Sequence, residues 1–253
     1  GHILAADLGY EHLMLPMEFE IARKCKTSIG FEDPRTEEGQ LLFPARFPRD
    51  VVDRDKKVMG SYATSGQFQQ RPSPLGGGVF KETWWQYFDL LPKIKYSIIV
   101  ADTAMKTKEQ HDYSVFMVWC LGEDGNAYLF DVFRGKWEAP QLLINFVAFY
   151  NKHKANPNLK LRNAAIEDKA SGTGLIQTIK QKYKIPVKPI KRDSQDKLSR
   201  AMAIAPHVES GYVYLKRDAP WLSDFLAELS AFNNGAHDDQ VDTVSDGLDQ
   251  LFN

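Results

Sequence analysis

The sequence predicts an α/β fold in which a central mixed sheet is flanked by helices and preceded by a loop-rich N-terminal region. Three observations carry this. A continuous apolar run, Tyr96 to Ala101, ends on the acid Asp102, as a buried central strand does. Two further runs, Tyr113 to Cys120 and Ala127 to Phe133, are joined through Gly122-Glu123-Asp124-Gly125-Asn126, a composition suited to a hairpin turn. Beyond residue 138, apolar residues recur at helical spacing and alternate with short strand-like runs, the pattern of a sheet covered by helices.

Residues 1–90 form the loop-rich part. They are punctuated by Glu32-Asp33-Pro34, Phe43-Pro44, Phe47-Pro48, Arg71-Pro72-Ser73-Pro74 and Gly76-Gly77-Gly78, which break regular structure. Short helices are expected from Pro48 to Gly60 and from Ser61 to Gln70. The aromatic cluster Trp84-Trp85-Gln86-Tyr87-Phe88 is read as packing between this region and the sheet.

Residues 91–253 form the domain proper. Its first three strands follow one another and pair antiparallel. Leu142, Leu143, Phe146, Val147 and Tyr150 then mark a helix from Glu138 to about His153. Ala164-Ala165-Ile166 is a strand running into Glu167, followed by Gly172, Gly174 and a helix through Tyr183. Val187 to Ile190 is a strand, Asp196 to Glu209 a helix, and Tyr212 to Leu215 a strand expected at a sheet edge. Trp221, Phe225, Leu229 and Phe232 mark a further helix, and Val241, Val244, Leu248 and Leu251 share one face of a last helix starting near His237. Three strands, helix, strand, helix, strand and final helices is the order of the ribonuclease H fold.

The bulk chemistry narrows the function by exclusion. A formal net charge of -1 means that any nucleic-acid contact rests on local patches. Cys25 and Cys120 are the whole cysteine content, too few for a disulfide framework or a cysteine zinc site, and they suit a reducing compartment. No apolar run reaches the roughly 20 residues of a membrane helix, and no signal-peptide segment opens the chain, so neither membrane insertion nor secretion is expected. G-x-S-x-G, H-E-x-x-H and G-x-G-x-x-G patterns are all missing, which leaves serine hydrolase, zinc protease and dinucleotide chemistry unsupported.

Three acidic positions fall where this order of elements brings chain segments together: Asp102 ending the first strand, Glu167 ending the fourth, and Asp238-Asp239 opening the last helix. Hard divalent cations take oxygen ligands, and two of them about 4 Å apart can activate water and stabilise a leaving oxygen in phosphodiester cleavage. Asp102, on the most rigid mount, is the candidate to bridge both ions, with Glu167 and Asp239 holding one each. Taken singly, each acid also has a structural role open to it, as a turn residue, a helix cap or a solvated strand end.

The stretch Val100-Ala101-Asp102-Thr103-Ala104 with Asp112-Tyr113-Ser114 resembles the first nuclease motif of viral terminase large subunits, those of tailed bacteriophages. Ile166-Glu167-Asp168-Lys169-Ala170-Ser171-Gly172 is similar to their second motif and His237-Asp238-Asp239-Gln240-Val241-Asp242 to their third. Phe43-Pro44-Ala45-Arg46-Phe47, Phe68-Gln69-Gln70-Arg71-Pro72 and Gly77-Gly78-Val79-Phe80-Lys81 resemble the segment linking the family's motor domain to its C-terminal nuclease. The resemblance implies a ribonuclease H-like endonuclease that cuts double-stranded viral DNA concatemers during genome packaging in the host cytoplasm, with Mg²⁺ or Mn²⁺ and two ions once DNA is bound. It implies metal ligands at Asp102, Glu167 and Asp239, with Asp238 ranked behind, and His237, Asp242 and Asp112 supporting them. Portal protein and the terminase small subunit are the implied partners. No G-x-x-x-x-G-K-[ST] loop occurs, so no nucleotide site is expected and the chain reads as a piece without the motor.

Candidate DNA contacts are Lys106 and Lys108 beside Asp102, the amides around Gly172 and Gly174 at a helix start, and Lys191, Arg192, Lys197 and Arg200 in the densest basic stretch. His111 lies in the same loop as Lys106. Other readings use the same carboxylates or none: a Holliday-junction resolvase, a ribonuclease H-type nuclease, or a non-catalytic module docking DNA or portal.

Overall fold

The computed structural model describes residues 10–71, 78–104, 113–169, 171–192, 195–232 and 238–252. Contacts divide the chain into two compact units, Gly1–Gly76 and Gly77–Asn253. Residues 78–90, which the sequence reading set with the linker, lie in the second unit.

The first unit is mostly irregular. Among its described residues the one long helix, α1 (Arg49–Gln67), breaks at Gly60, which takes a positive φ of 71° that a residue without Cβ adopts at little cost. The two short helices expected on either side of Gly60 are the two halves of α1. Loops without a ladder must satisfy their backbone elsewhere, and Arg35 does this. Buried at 5% exposure, it is ion-paired to Asp33 at 2.7 Å and donates to the carbonyls of Pro16 at 2.8 Å and Gln40 at 3.1 Å.

The second unit is built on seven strands: β1 (Gln86–Phe88), β2 (Ile94–Asp102), β3 (Ser114–Gly122), β4 (Ala127–Gly135), β5 (Leu161–Glu167), β6 (Val187–Ile190) and β7 (Val213–Lys216). They lie in the order β1-β7-β4-β3-β2-β5-β6. Strands β2, β3 and β4 pair antiparallel, whereas β5 adds parallel to β2 and β6 parallel to β5, giving a mixed, ribonuclease H-like sheet. Two details differ from expectation. The aromatic cluster contributes β1, which pairs parallel with β7, and β7 is therefore inside the sheet, between β1 and β4, instead of at its edge. A three-residue strand is too short to leave a period-two signature.

Helices α2 (Ala139–Lys154) and α3 (Ser171–Lys182) cover one face, and α6 (Asp239–Phe252) covers the other, with α4 (Lys197–Glu209) and α5 (Leu222–Ala231) beside it. On the first face Ile99, Ala101, Phe116, Val118, Ala164 and Ile166 pack with Phe146, Phe149, Leu175 and Ile179. Side chains alternate along a strand, so Val100 and Asp102 of β2, and Ala165 and Glu167 of β5, project to the α6 face. There α6 approaches so closely that a Cβ on Gly247 would overlap the Trp119 indole. Ten of its residues are buried, Asp242 and Asp246 among them. Among the described residues no helix is long and apolar enough to cross a membrane.

Candidate active site

The ends of β2 and β5 are neighbours. Ala101 pairs with Ile166 in parallel register, so the next residues, Asp102 and Glu167, emerge side by side on the α6 face. Their carboxyl groups are close enough to act on each other electrostatically. Burial, then the charge of Asp102, push Glu167 up to about 7, against the opposing pull of Arg192. Two like groups forced together out of water cannot both ionise cheaply, which is why the carboxyl of Glu167 stands above the usual range.

Opposite them stands the acidic side of α6. Asp239, Asp242 and Asp246 recur at a spacing that sets them on one helix face. Asp239 accepts from the backbone amide of Tyr113 at 3.4 Å. Tyr113 precedes β3, whose Val115 pairs with Asp102, so Asp239 lies at the same end of the sheet as the two strand-end acids. Deeper along α6, Asp246 is buried, and that burial raises its carboxyl above the usual range despite Arg192.

Arg192, two residues beyond β6, closes the arrangement. Its Nη2 donates to Asp102 at 3.1 Å and to Asp246 at 2.7 Å, its Nε lies 3.3 Å from Asp246, and its Nη1 is ion-paired to Glu167 at 2.9 Å and to Asp242 at 3.5 Å. Burial disfavours its charge, but the acids around it outweigh that and hold the guanidinium firmly protonated. Two further members of the basic stretch, Lys197 and Arg200, are also engaged with acids. Lys197 pairs with Asp238 at 2.7 Å and Asp242 at 3.1 Å, and Arg200 pairs with Asp242. Lys191 lines a cavity beside Arg192.

The terminase RNaseH-like domain family matches residues 99–251, a span that includes Asp102, Glu167 and the whole of α6 up to Leu251. The chain belongs to that family. A large terminase from a thermophilic bacteriophage superposes with a TM-score of 0.56 at 14% identity, over 81% of this chain and 53% of the other. The present chain thus spans about half the length of that terminase. The large terminase nuclease of the thermophilic phage G20c, with magnesium bound, superposes with a TM-score of 0.52 at 17% identity, over 70% of this chain and 99% of the other. Its cobalt-bound form gives 0.51. At these identities the likeness is one of fold. No curated protein matches the sequence.

Within this terminase domain the fit to a divalent metal is tested by donor chemistry. Asp102, Glu167 and Asp239 offer only carboxylate oxygen, the donor of hard cations, and the charge of Asp102 beside Glu167 is a repulsion that a dication relieves. Among the described residues, however, no three of His, Cys, Asp and Glu are grouped to hold an ion. The guanidinium of Arg192 stands between the strand-end acids and α6. The donors fit a hard cation by type, and Arg192 pairs with two of them, Asp102 and Glu167.

Local structure explains the mount of Glu167. Helix α3 begins four residues after it, and a Cβ on Gly172 would run into the Glu167 carbonyl oxygen, with Thr103 Oγ1 at 3.4 Å. Gly174 has open space. Of the remaining candidate residues, Lys106, Lys108, His111, Asp112 and His237 lie outside the described residues.

Two residues of the site escaped the sequence reading. Asp246 had a legible signal, since it continues the acidic face of Asp239 and Asp242 by one more turn. Glu228 of α5 had none. Buried, it accepts from the Gln240 amide at 2.6 Å, from Gln240 Nε2 at 2.8 Å and from Arg134 at 2.7 Å, satisfying an orphan donor at the start of α6. It thereby fixes the turn that carries Asp239.

Proposed function

We propose that this chain is the nuclease part of a terminase large subunit and acts as a divalent-metal-dependent endodeoxyribonuclease on double-stranded viral DNA concatemers. The observation that carries this is the side-by-side placement of Asp102 and Glu167 at adjacent parallel strand ends, facing the acidic side of α6 within a family-matched fold. Asp102, Glu167 and Asp239 would hold Mg²⁺ or Mn²⁺, with Asp238 beside them and two ions once DNA is bound. Such ions supply a Lewis acid and a water of lowered pKa.

The chain's own residues do the positioning. The paired strands fix Asp102 and Glu167 relative to each other, and Glu228 fixes the start of α6. Lys191 after β6 and the backbone amide of Gly174 are the groups that would meet DNA phosphate first, whereas Arg192, Lys197 and Arg200 already pair with acids and the Gly172 amide donates to the Lys169 carbonyl at 2.9 Å. Residues 1–90 are read as the end of the motor segment. Portal protein, the small subunit and a host-cytoplasmic setting come with this reading.

Supercoiled plasmid is the test. Incubation with Mn²⁺ or Mg²⁺ is expected to yield nicked and linear DNA, and Asp102→Ala to remain inactive under the same conditions. Cleavage by Asp102→Ala at the wild-type rate, or none by wild type with either metal, would remove the catalytic reading. Linear duplex, four-way junction and RNA:DNA hybrid, offered separately, distinguish terminase-type cleavage from resolvase and ribonuclease H activity.

A further inference from the structure

We propose that Arg192 is a built-in counter-ion that competes with a divalent cation for Asp102 and Glu167 and gives way toward Asp246 when the cation binds. The inference rests on the metal-site reading above.

A guanidinium carries a full positive charge and five donors but no lone pair. It cannot ligate a cation, and it uses the same carboxylate electrons a cation would. Arg192 meets both strand-end acids, Asp102 at 3.1 Å and Glu167 at 2.9 Å. Its side chain is 13% exposed, so the contacts are sheltered from bulk water and the repulsion it exerts on a second positive charge is weakly screened. At these distances Arg192 and a dication exclude each other from one pair of carboxylates.

The same structure supplies a way for the guanidinium to withdraw. Asp246 holds it through Nη2 at 2.7 Å, the nitrogen that also meets Asp102, and through Nε at 3.3 Å. Next to it lies a cavity of about 170 Å³ lined by Arg192, Arg200, Ser245, Asp246 and Asp249. Asp246 and Asp249 are three residues apart on α6 and therefore adjacent along its surface. The guanidinium can leave Asp102 and Glu167 while keeping an acidic partner. A residue placed only to hold phosphate has no need of four carboxylates around it.

Binding of Mn²⁺ to the whole chain, followed by calorimetry and by the electron paramagnetic resonance signal of the free ion, tests this without reference to cleavage. Arg192→Gln is expected to tighten Mn²⁺ binding by roughly tenfold or more, whereas Arg192→Lys, which keeps the charge, binds as wild type does. Should Arg192→Gln fail to fold, Arg192→Gln combined with Asp246→Asn removes both buried partners and carries the same expectation. Binding that is abolished by Asp102→Asn but unchanged or weakened by loss of Arg192 overturns this inference alone. Mn²⁺ binding indifferent to Asp102→Asn, or undetectable in every variant, overturns the metal-site reading and the inference with it.

Discussion

The carbonyl oxygen of Glu167 faces the Cα of Gly172 so closely that no side chain fits between them. Helix α3 can start where it does, and Glu167 can point where it does, because position 172 has no Cβ.

Alanine at positions 172 and 174 should therefore act in opposite directions. Gly172→Ala forces the backbone at Glu167 to shift, at a cost of about 1–3 kcal/mol, with a loss of cleavage beyond what the lower stability explains. Gly174→Ala enters open space in a helix and should stabilise by about 0.5–1 kcal/mol. Urea unfolding of the two variants reads both signs.

Glu228→Ala leaves the Gln240 amide and Arg134 without their buried acceptor. Breaking a buried charged contact costs about 3–5 kcal/mol; the 23% exposure of Arg134 places this one near the lower end. The start of α6 should fray, so hydrogen exchange in the first turn of α6 is expected to rise while exchange in β2 and β3 stays slow.

Glu167 is held up to about 7 by burial and by Asp102, above the roughly 4.3 of an unfolded chain. Between these values the folded chain keeps a proton that the unfolded chain has released, so stability falls as pH rises across that window. With chelator present, Glu167→Gln should lose this slope and unfold at higher temperature than wild type at pH 8, while losing cleavage. A wild-type stability flat from pH 4.5 to 8, or a Gln variant no more stable at pH 8, contradicts the assignment.

In the first unit Asp33 is buried, and its side-chain hydrogen bonds with Arg35 pull its carboxyl below the usual range. The stability it contributes is fully present above its unfolded pKa near 3.9 and lost as pH falls through the lower folded value. Asp33→Asn should cost about 3–5 kcal/mol at pH 7. The gap between wild type and variant should close progressively below pH 4, which urea titrations at pH 7, 4 and 3 will measure.

Much of the fold was legible because its elements are long and strongly patterned. The run Tyr96 to Ala101 became β2, and the runs flanking Gly122 to Asn126 became β3 and β4. The helical spacing of Leu142, Phe146 and Tyr150 became α2. That Asp102 and Glu167 share one end of the sheet was expected from the order of elements together with the family resemblance; the parallel register of β2 and β5 is what puts them side by side.

Tertiary structure decided what local pattern cannot encode. β1 exists only because β7 offers it a partner, which also moves β7 from the edge to the interior. Arg192, expected as a DNA contact, becomes the centre of an acidic cluster only because β6 ends beside β5 under α6. Glu228 acquires its role from Gln240, twelve residues away in sequence and joined to it by packing of α5 against α6. Periodicity reports which face a residue occupies, because that is set within a few residues of backbone. Which charge meets which depends on contacts between elements far apart in the chain, and those are fixed only when the sheet and its helices close around a common core.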